Sequence, residues 1–358
     1  MDLSNLFDSV RNIYANYAFN QKSGMVKMPL RYILELTYRC NLKCPFCYIT
    51  GSRQTDELST NEWIDIIRQI PPFSLISFVA GEVILKEDFD VIFKAACEKY
   101  RKTTLITNGL NLNDELINLF VKHNLLLLSV SLDAIGEKHD LIRNHKGLYD
   151  KVLYNLDLFN AKRRNKSKPM LDIKTCILEN NLDELVPLYK QAIKLNAQFF
   201  SLTFIRNHSL RQNSVLFDDF TEDFYMTKYP VELYFDITHF KEVYKELESL
   251  SKKSKTILRY APRFNPQGDW DKIEKFFSNP NVPMKDLYKK CSIPMTSVYI
   301  TPKGDIYPCL SYKIANLKEK TLKEAINVPK FKCFRKNLHH SQVFNACQMC
   351  CDLIPKNQ

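Results

Sequence analysis

The sequence predicts an α/β protein built on an open, partial (β/α)6 barrel with a small second domain at its C-terminal end. Three observations carry this prediction. Apolar runs of strand length alternate with helical patterns six times between residues 32 and 205, which argues a parallel sheet with helices outside. Six units are too few to close the usual eight-stranded barrel, so a wide lateral mouth follows. Beyond residue 205 the rhythm breaks, and a hairpin pattern with a second set of cysteines follows further on. The expected division is a helical extension over 1–30, the barrel over 31–205, a bridging segment over 206–284 and the C-terminal domain over 285–358. A chain of 358 residues with 45% hydrophobic content is an ordinary globular protein, long enough for this plan.

Residues 3–18 place Leu3, Leu6, Phe7, Val10, Ile13, Tyr14 and Tyr17 at helical intervals, which predicts an amphipathic helix laid against the barrel. The apolar run 32–38 reads as the first strand. Ser59-Thr60-Asn61-Glu62 is a capping box, and the helix it opens runs through Trp63, Ile66 and Ile67 to the stop at Pro71-Pro72. A buried strand pattern covers 75–79. The alternation then repeats as helix near 87–100, strand 103–107, helix 114–123, strand 125–131, helix near 147–160, strand 170–177, helix 183–195 and strand 199–205. In the bridging segment, residues 207–229 show no clear period, 240–250 read as a helix, and Pro262, Pro266, Pro280 and Pro283 punctuate the remainder.

No apolar run approaches the ~20 residues needed to cross a bilayer, and the opening Met1-Asp2-Leu3-Ser4 lacks the basic and apolar regions of a secretory signal. A cytoplasmic location without a membrane partner is therefore expected. Eleven cysteines in such a chain point to metal or redox chemistry rather than disulfides. The net charge of +11 is compatible with nucleic acid or with an acidic redox partner. Its densest basic stretch, 162–168, has no interleaved aromatics and reads as a solvated loop, which disfavours nucleic acid.

The loop after the first strand carries Cys40-Asn-Leu-Lys-Cys44-Pro-Phe-Cys47-Tyr48. Three thiolates this close converge on one soft centre, and they sit where ligand clusters belong in parallel α/β sheets, at the C-terminal end of a strand. A four-iron cluster wants four ligands, so three leave one iron open. Zinc would want a fourth Cys or His nearby, and none follows before Cys97.

This CxxxCxxC spacing, with Phe46 before the third cysteine, resembles the signature of the radical SAM superfamily. The resemblance implies a (β/α)6 core of TIM type and a 4Fe–4S cluster on Cys40, Cys44 and Cys47, whose open iron takes S-adenosylmethionine and cleaves it to a 5'-deoxyadenosyl radical. Further along, Ala80-Gly81-Glu82-Val83 resembles the family segment that bonds the cofactor's amino group, with alanine and valine in place of a glycine and a proline. Thr107-Asn108-Gly109 is a family-like turn, and Asn-Gly is a turn signal on its own account. Ser131 and Asp133 alternate with Leu132, so both are expected on one face, where hydroxyl and carboxylate suit a ribose. Residues 137–143 resemble a segment whose arginine pairs with the cofactor carboxylate. The cofactor-binding residues so implied are Tyr48, Gly81, Glu82, Asn108, Ser131, Asp133 and Arg143.

The second set is Cys291, Cys309, Cys347 and Cys350. Residues 298–301, the turn Pro302-Lys303-Gly304-Asp305 and residues 306–309 predict a hairpin, consistent with bringing Cys309 near Cys291. Four thiolates are the right number to close a cluster without a vacancy. They also suit tetrahedral zinc. The spacing Cys-x12-Gly-x4-Cys followed by Cys-x2-Cys resembles the SPASM and twitch subfamily. After Cys350 only Cys351 remains, so one auxiliary 4Fe–4S cluster is expected, and Cys351 is an alternative to Cys350 as its ligand. Cys97, Cys176 and Cys333 read as ordinary semi-buried thiols.

Three functions follow from these residues. The first is radical SAM oxidation of a sugar, polyol or other small intermediate, with an external electron donor such as flavodoxin or ferredoxin. It needs a base, for which Asp305 and Ser311 are the sequence's candidates. The second is a peptide- or protein-modifying enzyme making a thioether, epimer, crosslink or formylglycine. The third is a zinc or nucleic-acid-binding protein without catalysis.

Overall fold

The computed structural model describes residues 13–47, 49, 56–163, 168–205, 235–261, 284–309, 312–347, 350 and 352–356. Tyr48, Ser311 and Cys351 lie outside the described residues, as do 164–167 of the basic stretch and most of the bridging segment. Of the predicted N-terminal helix, residues 13–19 are described and helical.

The six predicted strands all form: β1 (Arg31–Glu35), β2 (Leu75–Val79), β3 (Lys102–Thr107), β4 (Leu127–Ser131), β5 (Met170–Ile177) and β6 (Phe199–Phe204). Each pairs in parallel with the next. The intervening helices are α1 (Thr60–Gln69), α2 (Phe89–Cys97), α3 (Asp114–Lys122), α4 (Glu137–Arg143), α5 (Leu148–Lys162) and α6 (Leu185–Lys194). The capping box is present, with the Ser59 hydroxyl accepting from the Glu62 N–H and the Glu62 carboxylate accepting from the Ser59 N–H at 2.7 Å. The helix so started buries Trp63, Ile66 and Ile67. Phe78 of β2 meets Phe89 and Phe93 of α2, and Phe93 meets Phe120 of α3 at 5.3 Å between centroids. Tilted and edge-on contacts of this kind add about 0.5–1.5 kcal/mol per pair beyond area burial.

The sheet is larger than six strands. Helix α7 (Ile237–Lys252), where 240–250 predict one, leads into a seventh parallel strand, β7 (Ile257–Ala261), paired with β6 in the register Phe199↔Ile257. The sequence does not betray β7 because Arg259 interrupts its apolar pattern. That charge is satisfied across the sheet, 3.1 Å from the Asp172 carboxylate and 3.7 Å from the centre of the Phe199 ring.

On the other side, β8 (Ser297–Ile300) pairs in parallel with β1, Tyr32 opposite Val298. The predicted hairpin returns through β9 (Asp305–Tyr307), antiparallel to β8, and β10 (Ala315–Asn316) pairs with β9. The order is β10-β9-β8-β1-β2-β3-β4-β5-β6-β7, so the C-terminal segment extends the barrel sheet and β1 is an interior strand. Among the described residues no helix is long and apolar enough to cross a membrane.

Candidate active site

The C-terminal ends of the parallel strands surround a cavity of about 340 Å³. Cys40, Cys44 and Cys47 enter it from the loop after β1, Gly81, Asn108 and Ser131 from the ends of β2, β3 and β4, and Arg143 from the C-terminal end of α4. None of the ten described cysteines is in a disulfide. The Cys40 sulfur lies 3.4 Å from the Leu42 N–H and 4.0 Å from the Asn108 side-chain nitrogen, which also donates to Asn41 at 2.7 Å. Cys44 lies 3.9 Å from the Arg143 carbonyl. Burial pushes the Cys44 thiol up to about 11, with Arg143 pulling the other way and Asp133, Cys47 and Cys40 adding to the rise. Loading of a metal cluster therefore has to displace a proton there.

Gly81 is a glycine for a steric reason. It sits at φ +49°, and an added Cβ would come within 2.5 Å of the carbonyl oxygens of Thr37 and Arg39, in the backbone leading into the cysteine loop. Ala80 also has positive φ, at 72°, where alanine costs about 1–2 kcal/mol relative to glycine. Glu82 does not line the cavity. Its carboxylate accepts from the Thr107 hydroxyl and the Asn108 N–H, both at 2.7 Å, and so holds the turn that presents Asn108.

Burial raises the Glu82 carboxyl to about 7, although the bonds from Asn108 and Thr107 pull it down. A carboxyl raised by folding stabilises fully below its ordinary 4.5, and that contribution is lost as pH rises through about 7. Glu82→Gln is expected to flatten the fall in melting temperature across this window. An unchanged slope would remove Glu82 as its source.

Ser131 faces the cavity, but Asp133 does not. β4 ends at Ser131, so the alternation expected to carry Asp133 onto the same face stops two residues short. Asp133 is fully buried. One carboxylate oxygen accepts from both Nε and Nη2 of Arg143 at 2.7 Å, and the other accepts from the Cys176 N–H at 2.8 Å. Burial works against the Arg143 charge, but Asp133, Cys44 and Cys176 more than offset it, so the guanidinium stays charged. His139 closes the arrangement: its Nδ1 accepts from the Asp133 N–H, and burial followed by Arg143 lowers it to about 3, which keeps it neutral.

Several cavity residues escape the sequence reading. Glu35 sits fully buried on β1, accepting from the Tyr38 hydroxyl at 2.7 Å and from the Tyr307 hydroxyl of β9 at 2.5 Å. Cys176, read as an ordinary thiol, lines the cavity, and burial pushes it up to about 12. It belongs to an inward row with Asp172 and Lys174, a period-two signal that was present in the sequence. Asp305 is not among the lining residues; it accepts from Asn316 at 2.7 Å and pairs with Lys313 at 2.9 Å.

The second cysteine set is assembled by the hairpin and the C-terminal turn. The Cys291 N–H donates to the Gln342 carbonyl at 2.9 Å, and the Cys350 N–H donates to the Cys347 carbonyl at 3.1 Å. Burial, then Cys347, Cys309 and Cys350, raise the Cys291 thiol well above its ordinary value, so the four thiols share one electrostatic neighbourhood. Among the described residues no group of three or more His, Cys, Asp or Glu is packed tightly enough to hold a single metal ion. A multi-iron cluster fits the donor chemistry of both sets, four thiols here and three facing the cavity.

The fold and cavity are those of a protein that holds a reactive centre at the mouth of a partial parallel barrel, and comparison with known proteins agrees. Residues 34–192 match the radical SAM superfamily and residues 291–351 match the SPASM iron-sulfur cluster-binding domain. The chain therefore joins a radical SAM domain to a C-terminal SPASM domain. Its cofactors are the 4Fe–4S cluster and S-adenosylmethionine of the first domain and the auxiliary iron-sulfur chemistry of the second.

The chain is similar to the sporulation killing factor maturation protein SkfB of Bacillus subtilis (strain 168), 26% identical over 176 residues. That match spans 48% of this chain and 42% of SkfB. In fold it is similar to Streptococcus suis SuiB bound to S-adenosylmethionine, with a TM-score of 0.66 and 17% identity over 92% of this chain and 73% of SuiB. Native anSMEcpe with bound AdoMet and a Cp18Cys peptide gives a TM-score of 0.58 and 16% identity over 86% of this chain and 82% of that protein.

Proposed function

We propose that this radical SAM enzyme modifies a peptide, with Cys40, Cys44 and Cys47 holding the cluster that takes S-adenosylmethionine and Cys291, Cys309, Cys347 and Cys350 holding one auxiliary cluster. The observation that carries the peptide is the likeness to a maturation protein, SkfB; the solved SuiB bound to precursor peptide SuiA adds to it. Oxidation of a sugar or polyol, the favoured expectation from the residues alone, has no comparable support. When bound, the cluster and S-adenosylmethionine supply a 5'-deoxyadenosyl radical.

The chain's own residues prepare the cavity for it. Gly81 brings backbone close to the ligand, Arg143 offers a guanidinium for a carboxylate, and Leu42, Phe46, Ile49, Phe204 and Ile205 give the walls an apolar lining that limits water. Glu35 and its two phenols tie the wall beside Cys40 to the strand that leads to Cys309. An external electron donor such as a flavodoxin or ferredoxin is part of the proposal.

The deciding experiment is anaerobic incubation with S-adenosylmethionine, a reductant and short peptides encoded by neighbouring genes, followed by mass spectrometry. A peptide product, for instance one lighter by two hydrogens, supports the proposal. Turnover of a small polyol with no peptide product would replace it with the oxidation reading. For the second site, Cys309→Ala is expected to lower bound iron from about eight to about four per chain while the barrel cluster stays reducible. Unchanged iron would remove Cys309 as a ligand.

A further inference from the structure

We infer that Glu57 is a positioning residue for the barrel cluster: anchored on Lys86, it clasps Thr37 and so closes the neck of the loop that carries Cys40, Cys44 and Cys47. The chain leaves β1 through Thr37, Tyr38 and Arg39, the residues just before Cys40, and returns at Glu57 and Leu58 before α1 begins. Side chains join the two sides of this neck. Thr37, fully buried, donates its hydroxyl to one Glu57 oxygen, and the same hydroxyl accepts from the Arg39 N–H at 3.0 Å. The other Glu57 oxygen accepts from Lys86 Nζ at 3.1 Å and from Arg39 Nη2 at 3.5 Å. Lys86, in the turn that follows β2, also donates to the Leu58 carbonyl at 2.7 Å. The Leu58 N–H in turn donates to the Pro302 carbonyl, at the bend between β8 and β9, at 2.7 Å.

The Lys86 and Glu57 side chains are only 7% and 8% exposed. Stability alone is a weak reason for such a pair, since apolar groups of the same shape often serve as well. Its place gives a better one. Backbone contacts from the end of β2 already hold the segment 37–39: the Glu82 N–H donates to the Arg39 carbonyl at 2.8 Å, and Gly81 packs against the Thr37 and Arg39 carbonyls. Glu57 adds the hold from the returning chain, 20 positions after Thr37. Three thiols on a loop lose chain entropy when they gather on one cluster, and a neck closed beforehand removes part of that loss. Thr37, Glu57 and Lys86 do not line the cavity that takes the cofactor; Glu57 and Lys86 line a separate one, of about 430 Å³, beside Arg39. A change at the clasp therefore reaches the cluster through the loop and not through a cofactor contact.

The inference rests on the trio holding the barrel cluster, and retention of that cluster rather than turnover tests it. The anaerobically reconstituted full chain is treated with an iron chelator, and samples withdrawn over time are reduced and read by EPR. The barrel cluster is the one whose signal changes when S-adenosylmethionine is added. Thr37→Val opens the clasp and leaves the Glu57–Lys86 pair intact. It is expected to lose the barrel cluster about tenfold faster than the native chain, the low end of the about 10–100-fold cost of changing a group that orients a metal ligand. The auxiliary cluster should leave at its native rate. Thr37→Ser, which keeps the hydroxyl, should behave like the native chain. Glu57→Leu together with Lys86→Met strands neither charge and should match Thr37→Val. Adding Thr37→Val to that pair should change nothing further, because all three act through one contact. Native retention in Thr37→Val overturns the assignment, as does equal loosening of both clusters or a failure of Thr37→Ser to recover, each of which marks a general structural role. A native chain in which S-adenosylmethionine changes no cluster signal takes down the reading of the trio and this assignment together.

Discussion

Replacing Cys44 with alanine is expected to abolish 5'-deoxyadenosine formation in the reconstituted protein. Cys44 is the central cysteine of the trio, with its sulfur against the backbone of α4 and most of its surface buried. Changes to groups that merely orient a metal ligand cost about 10–100-fold, so loss of a ligand should exceed ~100-fold. Iron content separates this from unfolding, because the second thiol set remains and should still hold its share. Cofactor cleavage at the native rate in the Cys44→Ala protein would refute the assignment of the trio.

Asp133→Asn should produce the largest loss of stability at the site. The substitution keeps the shape of the side chain but removes the countercharge of Arg143, whose side chain is only 10% exposed. Breaking a buried ion pair from one side costs about 3–5 kcal/mol, because the remaining charge is left without compensation. The paired change Asp133→Leu with Arg143→Met should be less destabilising than Asp133→Asn, since neither charge then remains buried. Chemical denaturation of the three proteins measures this. A single variant as stable as the native chain would mean that water or another group already neutralises the guanidinium.

What the sequence reveals and what it conceals divide along the range of the interactions involved. Strands such as β2 (Leu75–Val79) were readable because they are buried on both faces and so appear as short apolar runs, and β3 and β5 because polar and buried apolar residues alternate along them. The cysteine trio was readable because its members are neighbours in the chain. Arg259 hid β7, since a charge in a strand looks like a surface residue until its partner Asp172, far away in the sequence, is known. The pairing of β8 with β1 was equally hidden, because a parallel partner leaves no local mark on either strand. Asp133 was placed on the wrong face by extending a period-two pattern past the end of its strand. Glu35 sat in plain view within an apolar run, yet its role depends on Tyr307, which lies 272 positions later.

The insertion of β8 beside β1 makes the C-terminal domain inseparable from the barrel. A protein cut before Ser297 would expose one whole side of β1 as an open edge, strip Glu35 of the Tyr307 phenol, and invite pairing with other chains. Such a fragment is expected to aggregate rather than survive as a smaller catalyst. The loop that carries Cys40, Cys44 and Cys47 and the hairpin that leads to Cys309 likewise hang from one continuous set of backbone hydrogen bonds, which fixes the distance between them.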